Sequence, residues 1–365
     1  MRTALAALAA AGCGFHAPSQ VSDGPLGTSD APIAIDAPAV MFDAPAGATC
    51  LDSGTSYEIC VPNPAGATMT SLTGTLDTNT DPRCAATSIV NWTNSGQPSS
   101  CMVLGTSVSV DNLTIVGTRP LVIVALGSLT VSNRLDAAAL GPRPGPGPQI
   151  CGPFGSPADT AGGAGGTFRT AGGRGGDGKD GSGGTAPSAS VTMPGALRGG
   201  CGGQAGSEGA GGGGGGAIFL VTAGALELSG ATINVSGGGG QLGGSEEGGG
   251  GGGSGGMIWI QVAGGVNATS AKLVANGGGG GGGGGDGTSG QAGQDPNPGM
   301  PTVPASGGSG GSSGGARGGN GAAALTHAVP GSNSATRGGG GGGGGAGLIH
   351  ANQVLPGAIC SPPQS

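Results

Sequence analysis

The chain has 365 residues and a mass of 33.3 kDa, and glycine (93) and proline (26) make up about a third of it. Charged residues are only 8% and the net charge is −7, which argues against a conventional α/β enzyme, rich in helix formers and large apolar side chains, and against a highly charged disordered tail. Glycine does not recur at every third position as in collagen. Two lysines and ten scattered arginines form no basic stripe for nucleic acid or an anionic membrane.

Residues 1–13 read as a signal peptide: Met1-Arg2, an apolar run over 3–12, then Cys13. A run of about ten residues is too short to span a bilayer, which takes about 20. Ala10-Ala11-Gly12-Cys13 resembles a bacterial lipobox, with Ala10 where leucine is usual. That resemblance implies a thioether lipid on Cys13 and, with Gly14 rather than Asp following, the outer membrane. An ordinary secretory signal or a mis-assigned start is the plainer alternative. Residues 14–48 form an Ala/Pro/Asp-rich linker with Asp-Ala-Pro at 30–32, 36–38 and 43–45. Proline fixes φ and removes donors, so this stretch is expected to stay disordered and extended. The body, 49–350, carries short β-branched runs of period two at 71–77, 108–110, 113–116 and 121–124. No useful length has a 3.6-residue apolar period, so almost no helix is expected. Residues 351–365 read as a C-terminal tail.

An internal repeat carries most of the fold information. Residues 217–236 align without gaps on 257–276, an offset of 40. Ile218 meets Ile258, Phe219 meets Trp259, Leu220 meets Ile260, Leu226 meets Val266 and Ile233 meets Leu273. An earlier copy begins at Leu121 with Gly127, Leu129, Val131 and Leu135, and a stub stands at 347–350. Val108 and Leu129 hold equivalent places 21 residues apart, about one coil of a parallel β-helix. The fold class expected is therefore all-β, a parallel β-helix-like solenoid whose stacked coils share one core. The glycine tracts 211–216, 248–253, 277–285 and 338–345 are then excursions. They are either floppy surface loops or polyproline-II-like rods packed side by side, close because Cβ atoms are missing.

Eight cysteines in so polar a chain point to disulfides in an oxidising compartment. If Cys13 carries lipid, proximity pairs Cys50 with Cys60, Cys84 with Cys101 and Cys151 with Cys201 and leaves Cys360; other pairings stay open. No Cys-x-x-Cys or histidine-bearing cluster suggests zinc.

The combination of Cys13 and its linker with 72–77 (LTGTLD), 81–84 (DPRC), 118–122 (TRPLV), 197–201 (LRGGC) and the glycine-flanked blocks resembles a group of glycine-rich surface lipoproteins of myxobacteria and related bacteria. The resemblance covers most of 50–350. It implies a surface location and a β-helix-like body and brings no activity with it.

Catalytic patterns are weak. Gly-x-Ser-x-Gly at Ser254 and Ser309 is expected by chance in glycine tracts, and a nucleophile elbow needs a strand-to-helix turn. The three histidines, His16, His327 and His350, suggest no triad. Lys179 is followed by Asp180, so there is no P-loop. Residues 175–180 match the start of one calcium-binding nonapeptide, which needs tandem copies. Polysaccharide lyases and hydrolases on β-helices need two or three acids on adjacent coils. Asp77, Asp81, Asp111 and Asp136 are the candidates, with Arg83, Arg119 and Arg134 near in sequence. Turn and strand-end roles are the competing account, and Glu246-Glu247 reads as a solubilising pair. No metal or cofactor is called for. The reading is a structural or adhesive surface protein without enzymatic activity, outside the outer membrane or secreted. Its partners would be the membrane through its lipid, and polysaccharide, other surface proteins or itself. The alternatives are a polysaccharide lyase or hydrolase, for which Asp77, Asp111 and Asp136 must converge with an arginine, or a carbohydrate- or ice-binding module using Thr232 and Asn234.

Overall fold

The computed structural model describes residues 48–51, 55–62, 67–84, 92, 95–147, 149, 151–188 and 194–365. The signal-peptide expectation, Cys13 and nearly all of the 14–48 linker lie outside the described residues.

Sixteen strands and one short 3₁₀ turn, Pro82–Cys84, make up the regular structure among the described residues. None of their helices is long and apolar enough to cross a membrane. The fold is nearly all β, with parallel sheets curled into a half-barrel. One sheet has five parallel strands in the order β15 (Leu348–Ala351), β12 (Met257–Val262), β9 (Ala217–Thr222), β6 (Leu121–Ala125), β4 (Cys101–Gly105). The larger sheet divides at β5 (Val108–Val116). The first half of β5 continues through β7 (Leu129–Val131), β10 (Leu226–Glu227) and β13 (Val266–Asn267). Its second half continues through β8 (Arg134–Asp136), β11 (Thr232–Asn234), β14 (Lys272–Val274) and β16 (Ile359–Ser361). Strand β3 (Thr70–Asp77) runs along the whole of β5, with a bulge where Asn112 takes φ 46° beside Gly74 at φ 75°.

The register follows the repeat residue by residue. Ile218, Phe219 and Leu220 pair with Ile258, Trp259 and Ile260, Leu226 with Val266 and Ile233 with Leu273. Val108 pairs with Leu129, and Leu348 of the stub pairs with Met257. Residues 351–365 differ from the expected tail: they supply β16, because Cys360 lies beside Leu273 and completes the core there. A separate antiparallel hairpin joins β1 (Thr49–Leu51) to β2 (Ile59–Val61).

Apolar alternation places the core. Leu121, Ile123, Ile218, Leu220, Ile258 and Ile260 face Leu129, Leu135, Leu226, Ile233 and Leu273 across one interior. The five-stranded sheet is buried on both faces, as continuous apolar runs require. Its other face holds Val122, Phe219 and Trp259 under Tyr57, Trp92, Phe168 and Leu197. Tyr57 stacks on Trp259 at 4.1 Å and donates its hydroxyl to the Pro194 carbonyl at 2.7 Å. Disulfides link Cys50–Cys60, Cys84–Cys101 and Cys151–Cys201, the pairs nearest in sequence; Cys360 is buried and takes part in none of them.

The glycine tracts are buried and bonded to one another through their backbones. Along 248–256, amides 249, 252 and 255 donate to carbonyls of 339–345, amides 250, 253 and 256 to carbonyls of 235–241, and amides 251 and 254 to carbonyls of 201–204. The carbonyls of the same tract accept from 163–166, from 212–215 and from 278–281. One extended segment thus bonds six neighbours with a three-residue period. Tracts 277–285 and 338–345 do the same.

Candidate functional site

A groove of about 360 Å³ opens on the outward face of the larger sheet. Its floor comes from β5, β8 and the end of β11: Thr114, Val116, Arg134, Asp136, Asn234 and Ser236. One wall is the tight turn at Leu140–Arg143, closed by reciprocal backbone bonds of 3.0 Å and followed by Pro144. The other wall is the proline-rich segment carrying Asp295, Pro296 and Pro298. Asp295 ties the walls together: its carboxylate accepts from the Gly141 amide at 3.1 Å and the Gly239 amide at 2.7 Å.

Asp136 is held from three sides. Its Oδ1 accepts from Asn234 Nδ2 at 3.0 Å and the Ala138 amide at 3.2 Å, and its Oδ2 is paired with the Arg134 guanidinium. Behind it a buried polar relay crosses three strands. Ser236 Oγ donates to Asn234 Oδ1 at 2.7 Å and accepts from the Asn276 amide at 3.3 Å. Asn276 Nδ2 donates to the Pro301 carbonyl at 2.6 Å, and Ser361 Oγ donates to Asn276 Oδ1 at 2.6 Å. A satisfied relay of this kind fixes rotamers, so the side chains of the groove floor are held by the chain's own bonds.

The four acids weighed from sequence do not assemble. Asp77 lies opposite Val116 and caps its own turn, accepting from the Asn79 amide and from Thr80. Asp111 lies opposite Thr73 and accepts from Asn112 and Asn133. Asp81 pairs with Arg83 at 2.6 Å, and that guanidinium holds its carboxyl below the usual carboxylate range. Only Asp136 enters the groove. Asp77 and Asp136 do not stack, because Asp136 pairs with Thr114, two positions before Val116. Thr232 and Asn234 do not repeat either: Arg134 and Lys272 flank Thr232, and Asp136 and Val274 flank Asn234. Ser254 is buried and accepts from the Cys201 amide at 2.7 Å, a structural role. The chain signals that sequence reading passed over are Arg143, Asp295, Ser236 and Asn276. Of these only the last two had a trace, since the 40-residue offset aligns Ser236 with Asn276.

A second, wider concavity of about 770 Å³ lies among the glycine-tract turns, lined by Asp159, Thr160, Lys179, Asp180, Ser207, Glu208, Ser245 and Glu247. Nearby, Glu246 bonds Lys179 at 2.5 Å and Arg337 at 3.2 Å, and Arg337 also reaches Asp286 at 2.9 Å. The bond to Lys179, then the charge of Arg337, lowers the Glu246 pKa. Asp177, in the calcium-like 175–180 stretch, is engaged by the Gly183 amide and Arg174, both of which lower its pKa. Among the described residues, the one trio of metal-ligating side chains lying together is Cys50, Glu58 and Cys60. Its sulfurs are joined in a disulfide and are not available as thiolates. No known protein family, characterised protein or solved structure matches the chain.

Proposed function

We propose that this is a structural, adhesive protein of the bacterial surface. A lipid on Cys13 and the linker at 14–48 hold a rigid body clear of the outer membrane. In this reading the half-barrel is a parallel β-helix, and the glycine tracts are polyproline-II-like rods in a hexagonal stack. The observation that carries the proposal is the three-residue, six-neighbour bonding of the tracts. Three residues per turn is the polyproline-II screw, and only a side-chain-free chain brings six such rods within backbone bonding distance. That buried stack, in a chain with 8% charged residues and few large side chains, supports a stiff scaffold more than a catalytic centre. A β-helix polysaccharide lyase or hydrolase is less favoured. The carboxylates of Asp136 and Asp295 are already engaged by donors of the chain itself. A general acid or base needs a carboxyl within reach of the substrate proton.

The test is made on intact cells. The native chain should fractionate with the outer membrane and be shaved by external protease at the linker, and Cys13→Ser should move it into the medium. Retention of Cys13→Ser in the membrane, or a chain that external protease never reaches, overturns the surface reading.

A further inference from the structure

The groove at Asp136 has the chemistry of a binding site with one unspent cation. Both its carboxylates are used in building it: Asp295 bonds the amides of Gly141 and Gly239, and Asp136 bonds Asn234, the Ala138 amide and Arg134. The guanidinium of Arg143, exposed on the groove wall, makes no hydrogen bond or ion pair with the described residues. Arg134 is bonded to Asp136 by one terminal nitrogen and is about half exposed, which leaves donors facing the groove. A pair of arginines whose local carboxylates are already satisfied matches an incoming carboxylate, which a guanidinium takes bidentately.

The rest of the lining narrows the ligand. Pro144, Pro296 and Pro298 give flat apolar edges, and Thr114 gives a hydroxyl. Beyond the groove the same sheet carries a ladder of polar side chains. Thr75 stands beside Thr114, and Ser71, Ser109, Thr130, Glu227 and Asn267 form an unbroken rank across β3, β5, β7, β10 and β13. Parallel strands repeat about every 4.8 Å, so Ser71, Ser109 and Thr130 offer hydroxyls at regular steps to an extended, hydroxylated chain, up to Glu227, whose carboxylate is held by Asn267. Carboxylate, hydroxyls and apolar ring faces occur together in a uronic-acid polysaccharide. We propose that the groove is a subsite for one carboxylated sugar of such a chain, with Arg143 and Arg134 as the carboxylate clamp and the polar ranks as the track for its neighbours. The inference deepens the adhesive reading, since it names what the surface would hold; it does not depend on Cys13 being lipidated.

The experiment is calorimetric titration of the purified chain with an oligomer of galacturonic acid and, in parallel, with a neutral oligoglucan of equal length. Saturable binding of the acidic oligomer alone is expected, weakening as salt is raised. Arg143→Gln should lower the affinity about tenfold or more, as loss of a charge-assisted clamp does. Lys179→Gln, in the other concavity, should leave it unchanged. Because Arg143 is exposed, its variant should melt with the parent, so lost binding is not lost folding. The assignment falls if the acidic oligomer does not bind, if the neutral oligomer binds equally, or if Arg143→Gln binds as the parent does. Each of these results leaves the cell-fractionation test standing, and a chain found inside the cell would leave the titration standing.

Discussion

At Gly256 an added Cβ would lie 1.8 Å from the Gly216 carbonyl oxygen, whereas at Gly265 it would meet nothing within 4 Å. The first contact is with backbone, which cannot swing aside as a flexible side chain would. Gly256→Ala should therefore destabilise the chain by about 3 kcal/mol, the upper range for overpacking. Gly265→Ala should be neutral or stabilising by about 0.5 kcal/mol, because it removes freedom from the unfolded chain. Denaturant unfolding of the two variants decides it, and equal, small effects would mean that the rods are not in backbone contact. Tyr57 offers a pH test at the same scale. Burial away from water pushes its pKa well above the ordinary value near 10. The folded chain then keeps a proton that the unfolded chain releases, so this contribution to stability is full below pH about 10 and falls as the pH rises beyond it. Tyr57 is the chain's one tyrosine, so tyrosinate absorbance reports it alone. The absorbance should appear only as the chain unfolds in alkali; an ordinary titration near pH 10 by a folded chain would contradict the burial.

Between residue and molecule lies the question of how the open edges of parallel sheets are covered. An unpaired edge is a template for another chain. At β15 the edge is closed from within: the Ser365 amide donates to the Ile349 carbonyl at 3.0 Å, and Gln364 Nε2 donates to the Ala351 carbonyl at 3.3 Å. These bonds leave no mark in the sequence, and for that reason 351–365 reads as a tail there. The blocks at 217–236 and 257–276 are legible for the opposite reason. A parallel register repeats side-chain type at a fixed offset, so Phe219 over Trp259 is written in the chain as plainly as it is built. The same logic explains what was hidden. Tract-to-tract packing has no side-chain pattern, since its bonds run from backbone to backbone and glycine is the same letter whether it lies in a bonded tract or a loop. The groove was hidden because its walls come from 140–144 and 295–298, far apart in sequence and outside the repeat. Asp77 and Asp136 follow similar leucine-containing strands, which in the sequence suggests that they stack on one face. The bulge at Asn112 and the division of the sheet at β5 put them in different registers.

For the whole molecule, the glycine stack cannot stand without the sheets. Fixing one residue's backbone costs about 1–2 kcal/mol, and glycine loses most. A backbone hydrogen bond returns about 1 kcal/mol net, and a close Cα–H···O contact about 0.5–1 kcal/mol. The two sides nearly cancel, and no side-chain burial adds a surplus. The surplus comes from the apolar core, to which the tracts are joined where they become strands, at Ala217, Met257 and Leu348 and after Val235 and Ala275. A tract bonded to six neighbours also opens only if several others open with it. Sheets and tracts should therefore unfold in one transition. Amides 249–256 should exchange with solvent as slowly as those of Ile258 and Ile260 in β12, whose bonds lie in the middle of the sheet. Native-state hydrogen exchange followed by mass spectrometry on the two peptides tests this directly. Tract amides exchanging at the rate of an unfolded chain while β12 stays protected would make the tracts independent loops, and would remove the stiff body on which the adhesive reading stands.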